Sequence, residues 1–255
     1  MNNNDKEGKY FYCIIRNSQF TEFGAMGIGS RNDKVYTVSF RDISAVVSDT
    51  PVKKYDLERD NLLCHEMVIE EVMKHYTVLP VRFATVAENE EKIKRILERE
   101  YDKFFNLLEN MEGKKELGLK ALFKPNVIFM DILNKYDDIR NLKEKIESLP
   151  PEASYYQRMK IGEMVETAFQ KEKELYKNEF LNSLSPLAVE VKINNTFGDR
   201  MILNTAFLVE KCKESEFDQT VNRLADKYDD KMKIMYVGTL PPFSFVNIVV
   251  KADNY

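Results

Sequence analysis

Two adjacent prolines, Pro241 and Pro242, sit inside the run V-G-T-L-P-P-F-S-F-V from Val237 to Val246, and they constrain this chain more than any other stretch. Proline has no amide hydrogen to give to a sheet ladder, so strand pairing must stop there and the chain must cross over in a stiff, extended segment. Apolar runs lie on either side, Lys233 to Leu240 and Phe245 to Val250, which predicts a strand, a fixed joint and a further strand. A second segment of similar character, V-L-P-V-R-F-A-T-V, runs from Val78 to Val86. Arg82 stands there in a strand-like apolar setting, where an unpaired guanidinium would be costly. It is expected to lie in an intramolecular ion pair that locks strand to helix; the alternative is an arginine that meets a partner.

With 255 residues, 44% of them apolar and 31% charged, the chain is long enough for a sizeable core in one large or two modest domains. Its 38 basic and 42 acidic side chains are spread along the whole length for a net charge of -4, a mixed solvated surface that argues against nucleic acid as a partner. No apolar run approaches the roughly 20 residues that span a bilayer, and Met1 to Lys9 lacks the apolar core of a signal peptide, so a cytoplasmic protein with no membrane partner is expected. Cys13, Cys64 and Cys212 are an odd number and widely spaced, which suits buried reduced thiols better than a disulfide framework.

Lys9 to Arg16 is an apolar, aromatic and β-branched run that predicts a buried strand. Gly24, Gly27 and Gly29 mark a flexible connection, and Asp33 to Phe40 and Ile43 to Ser48 a pair of antiparallel strands. The Gly-x-Gly pair at Gly27 and Gly29 leads into a strand instead of the helix a phosphate loop needs, so phosphate binding is not expected there. An amphipathic helix follows from Leu57 to Tyr76, a short strand from Val78 to Phe83, and a single long helix from Glu88 to Met111. This first half reads as an α+β domain over residues 1–112, with helices on one face of a mainly antiparallel sheet.

Gly113 breaks the pattern. Glu116 to Phe123 alternates as a strand, with Leu117, Leu119, Ala121 and Phe123 on one face. Asn126 to Glu147 is helical with a break near Lys135 to Asp138, and Ser154 is placed to cap a long helix that reaches about Ser183. Leu187 to Ile193 and Met201 to Glu210 form a hairpin, followed by a helix from Glu214 to Tyr228 and a strand from Lys233 to Leu240. The order β-α-β-β-α-β is that of a ferredoxin-like domain, here over residues 113–255 with a helical insertion at about 126–183 and one strand added at its end.

Little in the chain points to a reaction. His65 and His75 are the only histidines, about 15 Å apart along one helix and on different faces, so they cannot share a metal. Adjacent Cys64 and His65 diverge by about 100° on a helix, again wrong for one ion. His65 lies on the apolar side and is expected to be a core imidazole bonded to a backbone or carboxylate group. Paired acids such as Glu70 and Glu71 do not face each other on a helix, and the short motifs that carry a mechanism are absent. No catalytic, metal or cofactor residue is assigned.

Several blocks, in order, resemble the GvpF/GvpL family of gas vesicle proteins: Y-F-Y-C-I-I at Tyr10 to Ile15, D-I-S-A-V-V-S at Asp42 to Ser48, His65 in its helix, V-L-P-V-R-F-A-T-V, E-L-G-L-K-A-L-F at Glu116 to Phe123, and G-T-L-P-P-F-S-F-V. The family typically reads R-F-G-T where this chain has Ala84, and G-P-W-P-P-Y-S-F where it has Thr239, Leu240 and Phe243. The resemblance implies a minor gas vesicle component, associated with gas vesicles, that takes part in assembly and binds the small, very apolar coat protein, with other minor gas vesicle proteins as further partners; it implies no cofactor and no reaction. An unassembled apolar subunit would aggregate, and an open edge or aromatic groove on a soluble protein could cap it. The expected partner-binding residues are Leu79, Pro80, Arg82 and Phe83 with Pro241, Pro242, Phe243 and Phe245; the bland alternative makes both segments structural joints. Two other classes stand beside this one: a small-molecule-binding regulatory module on a ferredoxin-like scaffold, which needs an enclosed polar-lined pocket, and an enzyme using His65, Cys64 or Arg82, which needs His65 at a cleft.

Overall fold

The structure, a computed structural model, describes residues 6–29, 31–125 and 127–248. The chain divides into two compact units, one made of Met1–Glu116 with Thr239–Tyr255 and the other of Leu117–Gly238. The division at residue 113 drawn from the sequence differs from this at both ends: the break follows Glu116, and the chain from Thr239 returns to the first unit.

The first unit is built on β1 (Glu7–Arg16), β2 (Glu22–Ala25), β3 (Lys34–Phe40), β4 (Ile43–Pro51), α1 (Arg59–Met73), β5 (Val78–Pro80), β6 (Val86–Ala87), α2 (Glu90–Arg99) and α3 (Tyr101–Met111). Its sheet runs in the order β2-β3-β4-β1-β5, with β6 also paired to β1. All of the pairings β1 with β4, β5 and β6, β2 with β3, and β3 with β4 are antiparallel. Every side chain of β1 from Tyr10 to Ile15 is buried, and β1 meets both α1 and α3. Successive side chains of a strand point to opposite faces, so the centre of the sheet is covered on both, not on one as expected.

Three further expectations for this unit need correction. The glycine-rich connection holds the edge strand β2, where Gly24 takes φ +107 beside a register shift in its pairing to β3. Glu88 to Met111 is two helices, broken at Glu100, whose φ of -102° and ψ of 16° leave the helical range without any proline or glycine to signal it. β5 stops at Pro80, and the chain from Arg82 turns before β6. Asn89 caps α2, its side chain accepting from the Lys92 amide at 2.9 Å.

The second unit takes in β7 (Lys114–Phe123) from Leu117 onward, α4 (Val127–Lys135), α5 (Asp137–Glu147), α6 (Tyr155–Leu184), β8 (Glu190–Ile193), β9 (Met201–Glu210), α7 (Glu214–Lys227) and β10 (Met232–Leu240) as far as Gly238. The sheet order is β10-β7-β9-β8. Leu117, Leu119, Ala121 and Phe123 of β7 enter the core together, as their alternation required, and pack with Phe169 and Phe180 of α6, Phe207 of β9 and Phe217 of α7. Ser154 precedes α6, but its Oγ accepts from Arg158 Nε at 3.0 Å instead of capping an amide. β8 begins later than expected because Ser185–Leu187 form a 3-10 turn. The whole is a mixed α+β architecture with two antiparallel sheets and, among the described residues, seven α-helices.

Candidate functional site

The two segments singled out in the sequence come together in the first unit. Pro241 and Pro242 are buried, and they do not cross over in an extended run: the Phe243 amide donates to the Pro241 carbonyl at 2.7 Å, and the Phe245 and Val246 amides to that of Pro242 at 3.1 and 2.8 Å. This is a tight, helix-like turn, which the proline dihedral suits and the missing amides do not hinder. The expected strand from Phe245 is absent through Asn247; Ile248 alone pairs with Val81 in a parallel bridge, and Val249 and Val250 lie outside the described residues.

His65 stands where the segments meet. Its ring lies 5.7 Å from that of Phe83 and 6.2 Å from that of Phe243, with the rings of Tyr10 and Tyr12 at 5.7 and 5.8 Å. The Tyr10 hydroxyl is 3.1 Å from Nδ1 and the Val81 carbonyl 3.2 Å from Nε2, so Nε2 donates to the carbonyl and Nδ1 accepts from the phenol. The Tyr10 oxygen also takes the Ala84 amide at 2.9 Å, while Tyr12 Oη takes that of Ile28 at 2.8 Å and bonds Ser48 Oγ at 2.9 Å. Burial pulls the His65 pKa down to about 4, against the pull of the Val81 carbonyl, and holds both phenols above their ordinary range. At neutral pH the imidazole is therefore uncharged, with both nitrogens engaged and 2% of its surface exposed. It sits in the core, bonded to a backbone carbonyl.

A carboxylate missed in the sequence fixes the other end. Glu116, buried on the β7 face opposite Leu117, accepts from the Ser244 amide at 2.9 Å and from its hydroxyl at 2.6 Å. Alternation alone put Glu116 on a polar face; the return of residues 241–246 brings Ser244 onto it.

The expected site residues separate by exposure. Leu79, Pro80, Pro241 and Pro242 are buried. Arg82, Phe83, Phe243 and Phe245 are exposed or half-exposed, with Phe243 at 41%. Among the described residues Arg82 is in no ion pair to a helix: its Nη2 donates to Asn247 Oδ1 at 3.0 Å. Burial raises the Cys64 thiol, which donates to the Met26 carbonyl at 3.3 Å; Cys13 is buried, whereas Cys212 is exposed, contrary to expectation. What this arrangement offers is a shaped surface of aromatic edges and one guanidinium on a rigid base. In the second unit an open pocket of about 440 Å³ is lined mainly by Leu122, Phe123, Met232 and Ile234 with Lys124 and Arg200.

Comparison with known proteins matches residues 8–247 to the family described as gas vesicle synthesis protein GvpL/GvpF. The gas vesicle protein F of Nostoc sp. is 27% identical over 94% of this chain and 98% of its own, and gas vesicle protein F1 of Halobacterium salinarum 27% identical over 97% of both. Gas vesicle protein L1 of the latter organism is 21% identical over 93% of this chain and 90% of its own. The crystal structure of GvpF from Anabaena sp. PCC7120 superposes with a TM-score of 0.81 at 25% identity, covering 96% of this chain and 100% of that one. That of GvpF from Microcystis aeruginosa gives 0.76 at 25% identity, covering 94% and 99%.

Proposed function

The chain belongs to the gas vesicle synthesis protein GvpL/GvpF family, and from that premise we propose that it is an F-type assembly factor that binds the apolar gas vesicle coat protein and limits its aggregation while vesicles nucleate. One observation carries the reading: two distant segments converge on His65 and leave Phe243, Phe83, Phe245 and Arg82 at the surface above a buried joint. Aromatic rings and an arginine on a rigid support are the side chains that anchor protein partners. The protein acts in the cytoplasm at gas vesicles, with other minor gas vesicle proteins as further partners. The second unit is read as a ferredoxin-like domain with a helical insertion, which the sheet order β10-β7-β9-β8 supports.

The test is co-expression with the coat protein, followed by size exclusion and pull-down. A soluble co-eluting complex is expected, weakened at least about tenfold by Phe243→Ala or Arg82→Ala, as for anchor residues of an interface. Coat protein that aggregates equally with and without the chain removes direct capture; variants that stay folded and bind normally remove this surface. A small-molecule module needs an enclosed polar-lined pocket, and the open pocket of the second unit, lined mainly by apolar side chains with Lys124, Arg200, Asp229 and Lys233, does not meet that need.

A further inference from the structure

The edge strand β8, with Val189 just before it, alternates apolar and charged residues whose charges are opposite in sign on either side of Val191. Val189, Glu190, Val191, Lys192 and Ile193 alternate apolar, acid, apolar, base, apolar about Val191. Among the described residues β8 is the last strand of its sheet, with one side of its backbone paired to β9 and the other open. The register sets Glu190 opposite Leu208 and Lys192 opposite Ala206, and the Asn194 amide donates to the Asn204 carbonyl at 2.8 Å. Alternate residues of an antiparallel strand direct their backbone groups to opposite sides, so Glu190, Lys192 and Asn194 face β9 while Val191 and Ile193 present theirs to the open side. The side chain of Val191 lies on the core face with Ile193 and Val189, which are 56% and 53% exposed; Glu190 and Lys192 share the other face, 3.9 Å apart.

We propose that the open edge of β8 pairs with the same edge of a second copy of this chain, antiparallel about a two-fold axis through Val191. In that register Val191 meets its own counterpart, Val189 meets Ile193 of the second copy, and Glu190 meets Lys192 twice. The free amides of Val191 and Ile193 then find the carbonyls of Val191 and Val189, giving four cross-axis hydrogen bonds. Charge selects this register. Sliding the strands by one pair in either direction sets Glu190 opposite Glu190 or Lys192 opposite Lys192, and like charges directly opposite each other are unfavourable. The two four-stranded sheets would join into one of eight, an isologous closed interface that leaves no further edge at β8. This surface belongs to the second unit and is independent of the proposed capture surface.

The contact is short, so association in the micromolar range is expected, about 1–100 μM. Sedimentation equilibrium from about 5 to 500 μM spans that range. The chain should pass from the mass of one copy to that of two. Lys192→Glu places acids opposite each other at two positions and should raise the dissociation constant at least about tenfold; Glu190→Lys combined with Lys192→Glu restores opposed charges and should return it to within about threefold. Both side chains are exposed, so circular dichroism should show the variants folded. A chain that stays monomeric throughout overturns the proposal and leaves the edge to a strand of another protein. So does a dimer indifferent to Lys192→Glu, or one that the double substitution does not rescue.

Discussion

Acidification should loosen the joint around His65 before it reaches most carboxylates. The imidazole titrates at about 4 in the folded chain and at 6.5 when exposed, because burial among Tyr10, Tyr12, Phe83 and Phe243 disfavours its charged form. Between these values the unfolded chain binds the proton and the folded chain does not, so stability falls as pH falls. From pH 7.5 to 5 the loss is about 2 kcal/mol, and below pH 4 it levels off near 3 kcal/mol. Protonation would also place a hydrogen on Nδ1, which now accepts from the Tyr10 hydroxyl, and force that phenol to turn away. The chain has only two histidines, so NMR titration of the imidazole carbon-bound protons, assigned with His75→Gln, reads the value directly. Urea unfolding at pH 7.5 and 5, followed by tyrosine circular dichroism, should show about 2 kcal/mol more pH dependence in the parent than in His65→Gln. An imidazole that titrates near 6.5, or an equal pH dependence in both proteins, refutes the reasoning.

Three substitutions test the remaining geometry. Ala84 takes φ +63 in the turn after Arg82, so Ala84→Gly should relieve left-handed strain and raise stability by about 0.5–1 kcal/mol, read as a higher midpoint in thermal unfolding. Glu116→Ala removes the acceptor of both Ser244 donors and should cost about 2 kcal/mol, with faster hydrogen exchange at the Ser244 amide than at β1 amides. Tyr12→Phe leaves the buried Ile28 amide without its phenol oxygen and should cost about 1–3 kcal/mol in urea unfolding, more than Tyr36→Phe at the partly exposed Lys9 cluster.

Where a segment is long and periodic, its residues already settle its structure. The β9 strand spans Met201–Glu210 as expected, and β7 buries the four residues its alternation selected, because apolar patterning decides which face must leave water. Short or interrupted elements were not legible. β2 has four residues around a left-handed glycine, and its pairing to β3 is a long-range contact that local propensity cannot supply. The break at Glu100 has no helix-breaking residue, and the packing of α2 and α3 against β4 and β3 and against β1 and β5 sets it instead.

The candidate site shows the same limit more sharply, since its residue types were visible and their company was not. The two proline-containing segments stood out because proline forbids pairing, yet the same ring that stops a ladder also fits the first positions of a helical turn, and the sequence does not say which. The turn wins because it aims the Ser244 amide and hydroxyl at Glu116 and lays Phe243 near the imidazole of His65. Its entry is strained: Thr239 holds φ +39, a value closed to the proline that related chains typically carry there by the resemblance above. The β-branched Thr239 holds this conformation because the contacts beyond, at Glu116, His65 and Val81, outweigh its cost. Loosening any one of the three should free the segment that carries Phe243, which makes the exposed aromatic edge and the buried joint one mechanical element.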